Sequence, residues 1–173
     1  FAVLKGLNRP LRWFNLGLAG LVAMLVGLVL AGYTMLTNQA SVLYTFYTPM
    51  KASPLFYIGL TVLFIGSWLV GWSQFATLAA WRKEPPGQRT PIIAFGSIVK
   101  ALLWQLCTLG IAAQMLVLVI PWALNLVPAT DALLSRTLFW FTGHPLVYFW
   151  LLPVYVTWYG MLPKQVGGKT FSD

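Results

Sequence analysis

Charged side chains are scarce in this sequence. Aspartate, glutamate, lysine and arginine together make up 8% of its 173 residues, whereas 59% are hydrophobic. A soluble domain of this length carries roughly a quarter charged residues, so the composition excludes that class. Several stretches of about 20 residues or more contain almost no charge, which is typical of membrane-spanning helices. The sequence therefore predicts an all-α membrane protein.

Cysteine and histidine each occur only once. The single cysteine, Cys107, allows no disulfide framework and indicates no redox compartment. The single histidine, His144, cannot form a metal site alone, because copper or zinc takes three or four donors. A metal site that uses His144 would therefore need residues of other helices to complete it.

Four spans are predicted from the apolar segments, at about residues 13–35, 55–81, 92–124 and 133–162. Polar or proline-rich stretches separate them: TNQAS and TPMKASP, then RKEPPGQRTP, then NLVPATD. No internal repeat is present. No cleavable signal is recognisable, because the first apolar segment is too long for one.

The basic residues predict the orientation of these spans. Although the formal net charge is +8, the eleven lysines and arginines lie almost entirely at segment ends, which indicates membrane topology and not nucleic-acid binding. Only Lys51 and Arg136 lie on one side, and the other nine lie opposite. Lys100 belongs to the larger group because it can snorkel from within the third span. Both termini are therefore predicted to be cytoplasmic.

The fourth span carries a polar stripe at bilayer depth. His144 lies about ten residues into this span, so it is about 15 Å deep. At about 100° per residue, one face about 100° wide holds Trp140, His144, Tyr148, Tyr155 and Tyr159. Unsatisfied polar groups facing lipid cost several kcal/mol, so the stripe must face protein, a cofactor or water.

Structural roles account for part of this stripe. A lone intramembrane histidine can donate a hydrogen bond to a neighbouring helix, and tyrosines commonly anchor at interfaces. Tyr159 fits that interpretation, whereas Tyr148 lies too deep for an interfacial belt and can approach His144 at i+4. Pro145 and Pro153 each remove a backbone donor, a feature that membranes tolerate around functional sites.

A specific motif lies at residues 139–153, FWFTGHPLVYFWLLP. It resembles subunit I of the haem-copper oxygen reductases, whose sixth helix carries Gly-His-Pro-x-Val-Tyr. Leu146 stands where mitochondrial-type members have glutamate. An aliphatic residue at this position and the tail LPKQVGGKTFSD resemble the sequences of B-type (ba-type) prokaryotic oxidases. The segment VLYTFY at residues 42–47 supports that subgroup, although the usual Tyr-Pro-Pro reads Tyr47-Thr48-Pro49 here. The resemblance covers the whole chain and implies helices III to VI of the larger subunit I bundle.

The resemblance implies a role for each matching residue. His144 would be one of three histidine ligands of the active-site copper. Tyr148 would be joined covalently to His144 and would supply an electron and a proton when the O–O bond breaks. The other implied positions are Tyr155, Tyr159 and Ser172 for a K-type proton path, and Trp140, Thr142 and Tyr44 for the copper surroundings or oxygen channel.

An enzyme of this kind needs more than this chain. The resemblance implies reduction of O2 to water with electrons from cytochrome c or a similar donor, coupled to proton translocation across a prokaryotic cytoplasmic membrane. It also implies a dicopper-bearing subunit II. Two further copper ligands and the axial histidines of a low-spin and a high-spin haem must lie outside a chain that has one histidine. We therefore expect a fragment or split piece of subunit I that is not active alone.

Two other interpretations compete with this one. A non-catalytic four-helix membrane subunit or transporter segment would use the His-Pro pair only as a kink with a hydrogen bond. A nitric oxide reductase relative would share the fold and the histidine ligands. That family lacks the histidine-linked tyrosine, so Tyr148 argues against it.

Overall fold

The computed structural model describes residues 2–84, 87 and 89–169, and every regular element within them is helical. In chain order the helices are α1 (Ala2–Leu7), α2 (Phe14–Leu36), α3 (Pro54–Arg82), α4 (Ile92–Ala113), α5 (Ile120–Ala123) and α6 (Ala132–Val166). A π-helical segment, Gln114–Val119, joins α4 to α5. Four stretches are long and apolar enough to cross a membrane: Phe14–Leu36, Pro54–Arg82, Ile92–Ala123 and Ala132–Val166. The prediction of an all-α protein with four spans is confirmed.

The structure differs from the predicted segments at three places. The short helix α1 was not predicted, and the third span contains the π-helical segment. The fourth helix continues to Val166, although the span was expected to end at residue 162, before Pro163. The chain stops being helical only at Gly167, whose φ of 68° lies in the left-handed region that glycine adopts without strain.

Helices α2 and α3 touch through their backbones. Gly20 and Gly27 of α2 face Gly66 and Gly59 of α3. A Cβ atom built on Gly27 would lie 2.4 Å from the carbonyl oxygen of Gly59, and one built on Gly66 would lie 2.5 Å from that of Gly20. Small residues of this kind let membrane helices approach closely and gain van der Waals contact.

Helices α3 and α4 are joined by polar side chains within the spans. The Trp68 indole donates to Thr108 Oγ1, and the Trp104 indole donates to Ser67 Oγ, each at 2.7 Å. Gln105 Nε2 donates to the carbonyl oxygen of Trp68 at 3.1 Å. These groups satisfy each other across the helix pair, as polar groups in lipid must.

Helix α6 begins beyond a loop and returns antiparallel to α4. Asp131 caps its first turn, accepting from the amides of Leu133 and Leu134 at 2.8 and 2.9 Å. The loop between α2 and α3 packs on this end of α6, since the Phe46 ring lies 5.2 Å from the Phe139 ring, edge to face. Towards the other end, Gly96 of α4 lies against Val156. These contacts fix which face of α6 is turned away from the other helices.

Candidate functional site

His144 and Tyr148 lie one turn apart on α6 and contact each other. His144 Nε2 is 3.2 Å from the Tyr148 hydroxyl, within hydrogen-bond distance. The ring centroids are 5.0 Å apart with an interplanar angle of 68°. An α-helix brings side chains at i and i+4 to the same face, so regular helix geometry produces this pair. Because Nε2 faces the phenol, Nδ1 is the ring nitrogen left for another partner.

The face that carries this pair is uncovered in the described part of the chain. Tyr148 is 51% exposed, and the other four members of the stripe are exposed as well: Trp140, His144, Tyr155 and Tyr159. Bare polar groups at this depth would cost several kcal/mol each in lipid. The stripe therefore requires further protein, a cofactor or water to cover it.

The phenols continue along the same face of α6. The Tyr155 ring contacts the Trp158 ring edge to face, with centroids 6.0 Å apart. Tyr155, Trp158, Tyr159 and Lys169 help to line an open groove of about 580 Å³ at this end of the helix. From Tyr148 to Tyr155 the rise along the helix is about 10 Å, too far for a direct hydrogen bond between the two phenols. A continuous hydrogen-bonded line along this face would therefore need waters or groups from other helices.

Two other predicted site residues do not belong to this face of α6. Thr142 is 4% exposed and lies between α6 and α4, where its hydroxyl donates to the Cys107 carbonyl at 2.6 Å. Tyr44 belongs to the loop between α2 and α3 and is 82% exposed. Ser172 lies outside the described residues. The structure thus brings together His144 and Tyr148, but not Thr142 or Tyr44 with them.

Two polar features of the spans were not anticipated from the sequence. Gln114, the first residue of the π-helical segment, is fully buried, and its Nε2 donates to Ser135 Oγ of α6 at 3.0 Å. Lys100 does not extend towards the nearer end of α4 as snorkelling predicts, because its Nζ lies 4.5 Å above the ring of Phe149. A glutamine or lysine inside an apolar run is the only signal that the sequence offered for either feature.

The donor set suits one metal ligand and no more. No group of three or more histidine, cysteine, aspartate or glutamate side chains lies together within residues 2–84, 87 and 89–169. His144 is exposed, is held in orientation by its contact with Tyr148, and leaves Nδ1 available. An imidazole of this kind fits one position of a copper site whose other ligands lie outside the chain.

An exposed histidine and a line of phenols at bilayer depth are typical of membrane proteins that handle protons or metal ions. All residues, 1–173, match the family described as Cytochrome C and Quinol oxidase polypeptide I. Cytochrome c oxidase subunit 1 of Thermus thermophilus is 41% identical over 166 residues, which cover 96% of this chain and 29% of that protein. Quinol oxidase subunit 1 of Sulfolobus acidocaldarius is 27% identical over 132 residues, covering 75% and 24%.

A solved structure extends the similarity to three dimensions. The structure, described as a heme-copper terminal oxidase dimer, superposes with a TM-score of 0.87 at 40% sequence identity, covering 91% of this chain and 27% of that one. The chain therefore belongs to the cytochrome c and quinol oxidase polypeptide I family, the haem-copper oxidases. It spans between a quarter and a third of the length of most of these relatives.

Proposed function

We propose that this chain is part of the catalytic subunit of a respiratory terminal oxidase, which reduces O2 to water with electrons from cytochrome c and translocates protons. The observation that carries the proposal is the contact between His144 and Tyr148 on an exposed face at bilayer depth. Membership of the family supports it, because the chain matches that family over its whole length.

His144 would hold the active-site copper through Nδ1, together with two histidines from outside this chain. The copper, with a high-spin haem, would supply the redox chemistry at which O2 is reduced, and a low-spin haem would deliver electrons. The Tyr148 hydroxyl, which lies 3.2 Å from Nε2, would hold the His144 side chain in orientation. An orienting partner on the second ring nitrogen is the usual arrangement for a metal-bound histidine.

Tyr148 would be cross-linked to His144 and would release a proton and an electron at the reaction centre. The contact supports a bond between these rings, since the phenol already faces the imidazole. Tyr155, Tyr159 and Ser172 would carry replacement protons along the K-type path, with bridging waters between them. Trp140, Thr142 and Tyr44 would lie near the copper or along the oxygen channel.

The assembled enzyme would contain the remainder of subunit I and a dicopper-bearing subunit II. Leu146, at the position that a glutamate holds in mitochondrial-type members, supports a B-type enzyme. The nine-to-two distribution of basic residues supports an orientation with both ends of this segment on the cytoplasmic side. The resemblance to B-type oxidases supports a prokaryotic cytoplasmic membrane.

The cross-link gives the sharpest test. The complete oxidase would be purified in active form and digested, and the peptide containing residues 138–151 would be weighed. We expect a mass lower by two hydrogens than the sequence mass. In Tyr148→Phe, copper content should stay normal while turnover falls by about 100-fold or more, the range for loss of a positioned proton donor.

A matched control separates this effect from general loss of a phenol. Tyr33 lies on α2, is exposed, and lines none of the stripe, so Tyr33→Phe should leave turnover unchanged. Recovery of the 138–151 peptide only at its unmodified mass from active enzyme would contradict the cross-link. Wild-type turnover by Tyr148→Phe would contradict the proposed role of the phenol.

A further inference from the structure

A second groove lies between α4 and α6, at the end where α4 begins and α6 ends. Its volume is about 560 Å³, and most of its wall is apolar. Polar and small residues line it from both helices: Gly96 and Lys100 from α4, and Thr157, Gly160, Lys164 and Gln165 from α6. Two lysines thus border a single apolar groove.

The groove lies on the opposite side of α6 from the stripe. At about 100° per residue, Pro153, Gly160 and Lys164 lie roughly 160–200° around the helix from His144. The stripe is the face that needs protein or a cofactor to cover its polar groups. The groove instead opens beside α4, on the far side of α6 from the proposed reaction centre.

Within residues 2–84, 87 and 89–169, no carboxylate balances the positive charge of the groove. The chain contains three acidic residues. Glu84 pairs with Arg9, and Asp131 caps the start of α6, at the opposite membrane face. Asp173 lies outside the described residues. Lys100 contacts the Phe149 ring, which stabilises a cation without neutralising it.

We propose that this groove binds one anionic phospholipid. Lys164 lies two residues before the end of α6, at headgroup level, where it would bind the phosphate. Lys100 lies about 12 Å from the start of α4, and its ammonium contacts the Phe149 ring in this structure. Its flexible stem would turn that ammonium from the ring towards the same phosphate when the lipid binds. An acyl chain would lie along Gly160, where an added Cβ would meet no atom within 4 Å. Basic grooves between spanning helices are suited to such headgroups.

The test uses the complete membrane protein that contains this sequence, purified in detergent and stripped of lipid. Native mass spectrometry would count lipids retained during titration with phosphatidylglycerol, and separately with phosphatidylcholine. We expect one tightly held phosphatidylglycerol that phosphatidylcholine does not replace. Millimolar inorganic phosphate should not displace it, since the acyl chains contribute to binding.

Three variants locate the site. Lys100→Met with Lys164→Gln should weaken the tightest phosphatidylglycerol by about 30-fold, because each lysine near a membrane surface contributes about fivefold. Gly160→Leu keeps both charges but fills the space of the acyl chain, and it should also lose the lipid. Lys83→Gln removes a lysine from the same membrane face outside the groove and should bind like the wild type.

Each outcome decides the proposal. Unchanged binding by the double lysine variant, or equal retention of the two lipids, would overturn it. Displacement by inorganic phosphate would show a simple anion site. Absence of any lysine-dependent lipid in the wild type would show that another part of the protein fills the groove. The elution profile and melting temperature of each variant report whether it is folded, and Gly160→Leu tests the site without removing a charge.

Discussion

The contact between α2 and α3 allows a sharp test of how this bundle is held together. Gly27 and Gly32 lie in the same helix, five residues apart. A Cβ atom on Gly27 would lie 2.4 Å from the Gly59 carbonyl oxygen and 2.5 Å from the Leu63 amide nitrogen. A Cβ atom on Gly32 would meet nothing within 4 Å. We therefore predict that Gly27→Ala destabilises the protein and Gly32→Ala does not.

The expected size follows from these distances. Ordinary van der Waals contact begins at 3.4 Å, so an alanine at position 27 must push the helices apart by about 1 Å. A gap of 0.5–1 Å forfeits about a quarter to a half of each pairwise dispersion energy, and overpacking costs about 1–3 kcal/mol. Both variants gain the same helix propensity of about 1 kcal/mol, so this gain cancels in their comparison. The free energies of unfolding should differ by about 1–3 kcal/mol.

The assay is reversible unfolding of the complete protein in detergent micelles with increasing SDS, followed by circular dichroism. Gly27→Ala should unfold at lower SDS than Gly32→Ala, and Gly32→Ala should match or exceed the wild type. Gly59→Ala, which changes the other side of the same contact, should behave like Gly27→Ala, because its Cβ would lie 2.7 Å from the Ala31 amide nitrogen. Equal stabilities for the two alanine variants of α2 would refute the backbone contact as a source of stability.

Two further predictions concern topology and proton delivery. In intact cells, a membrane-impermeant thiol reagent should label Ser41→Cys and not Lys83→Cys, because the positive-inside rule places the first connection outside. Cys107 is buried and should give no background labelling. Labelling of Lys83→Cys and not of Ser41→Cys would show the opposite topology. Tyr155→Phe should lower oxidase turnover by about tenfold or more with normal haem and copper content, since it removes only the hydroxyl that is proposed to relay protons. Tyr159→Phe should lower turnover less, because water can replace an outermost group of the proposed path. Wild-type turnover in both tyrosine variants would show that protons travel through other helices.

The features that the sequence predicted well depend on local information. Apolar length and charged ends define spans without reference to neighbours, so the first three predicted spans match the helices of the structure to within one residue at each end. The pairing of His144 with Tyr148 also follows from one helix alone, because i and i+4 share a face in any α-helix.

The features that were missed depend on contacts between helices. Gly27 and Gly32 look alike in the sequence, yet only Gly27 faces another backbone. The π-helical segment that begins at Gln114 lies within an apolar run that predicts an ordinary α-helix. The fourth span was predicted to end at residue 162, but the helix continues through Pro163 to Val166. A proline removes one amide donor and need not end a helix, which here ends at a glycine in the left-handed conformation.

Thr142 combines both cases, because the motif singled it out but its contact lies across the helix pair. Its Oγ1 accepts from the Ile111 amide at 3.0 Å and donates to the Cys107 carbonyl at 2.6 Å. These two backbone groups are four residues apart and would pair with each other in an unbroken α-helix. A side chain of α6 thus inserts into the hydrogen-bond ladder of α4, three residues before the π-helical segment begins. Such insertions are a recognised cause of helix distortion.

This arrangement predicts that the hydroxyl of Thr142 ties α6, and with it the neighbouring His144, to α4. Thr142→Val keeps the shape and removes both hydrogen bonds, so the free energy of unfolding should fall by about 1–2 kcal/mol, the upper range for interhelical hydrogen bonds in membranes. Thr157→Val is the matched control, because its hydroxyl bonds only to Pro153 of its own helix, at 2.8 Å. SDS unfolding should separate the two variants. If they unfold alike, the ladder of α4 has closed on itself once the hydroxyl is gone, and Thr142 does not hold the helices together.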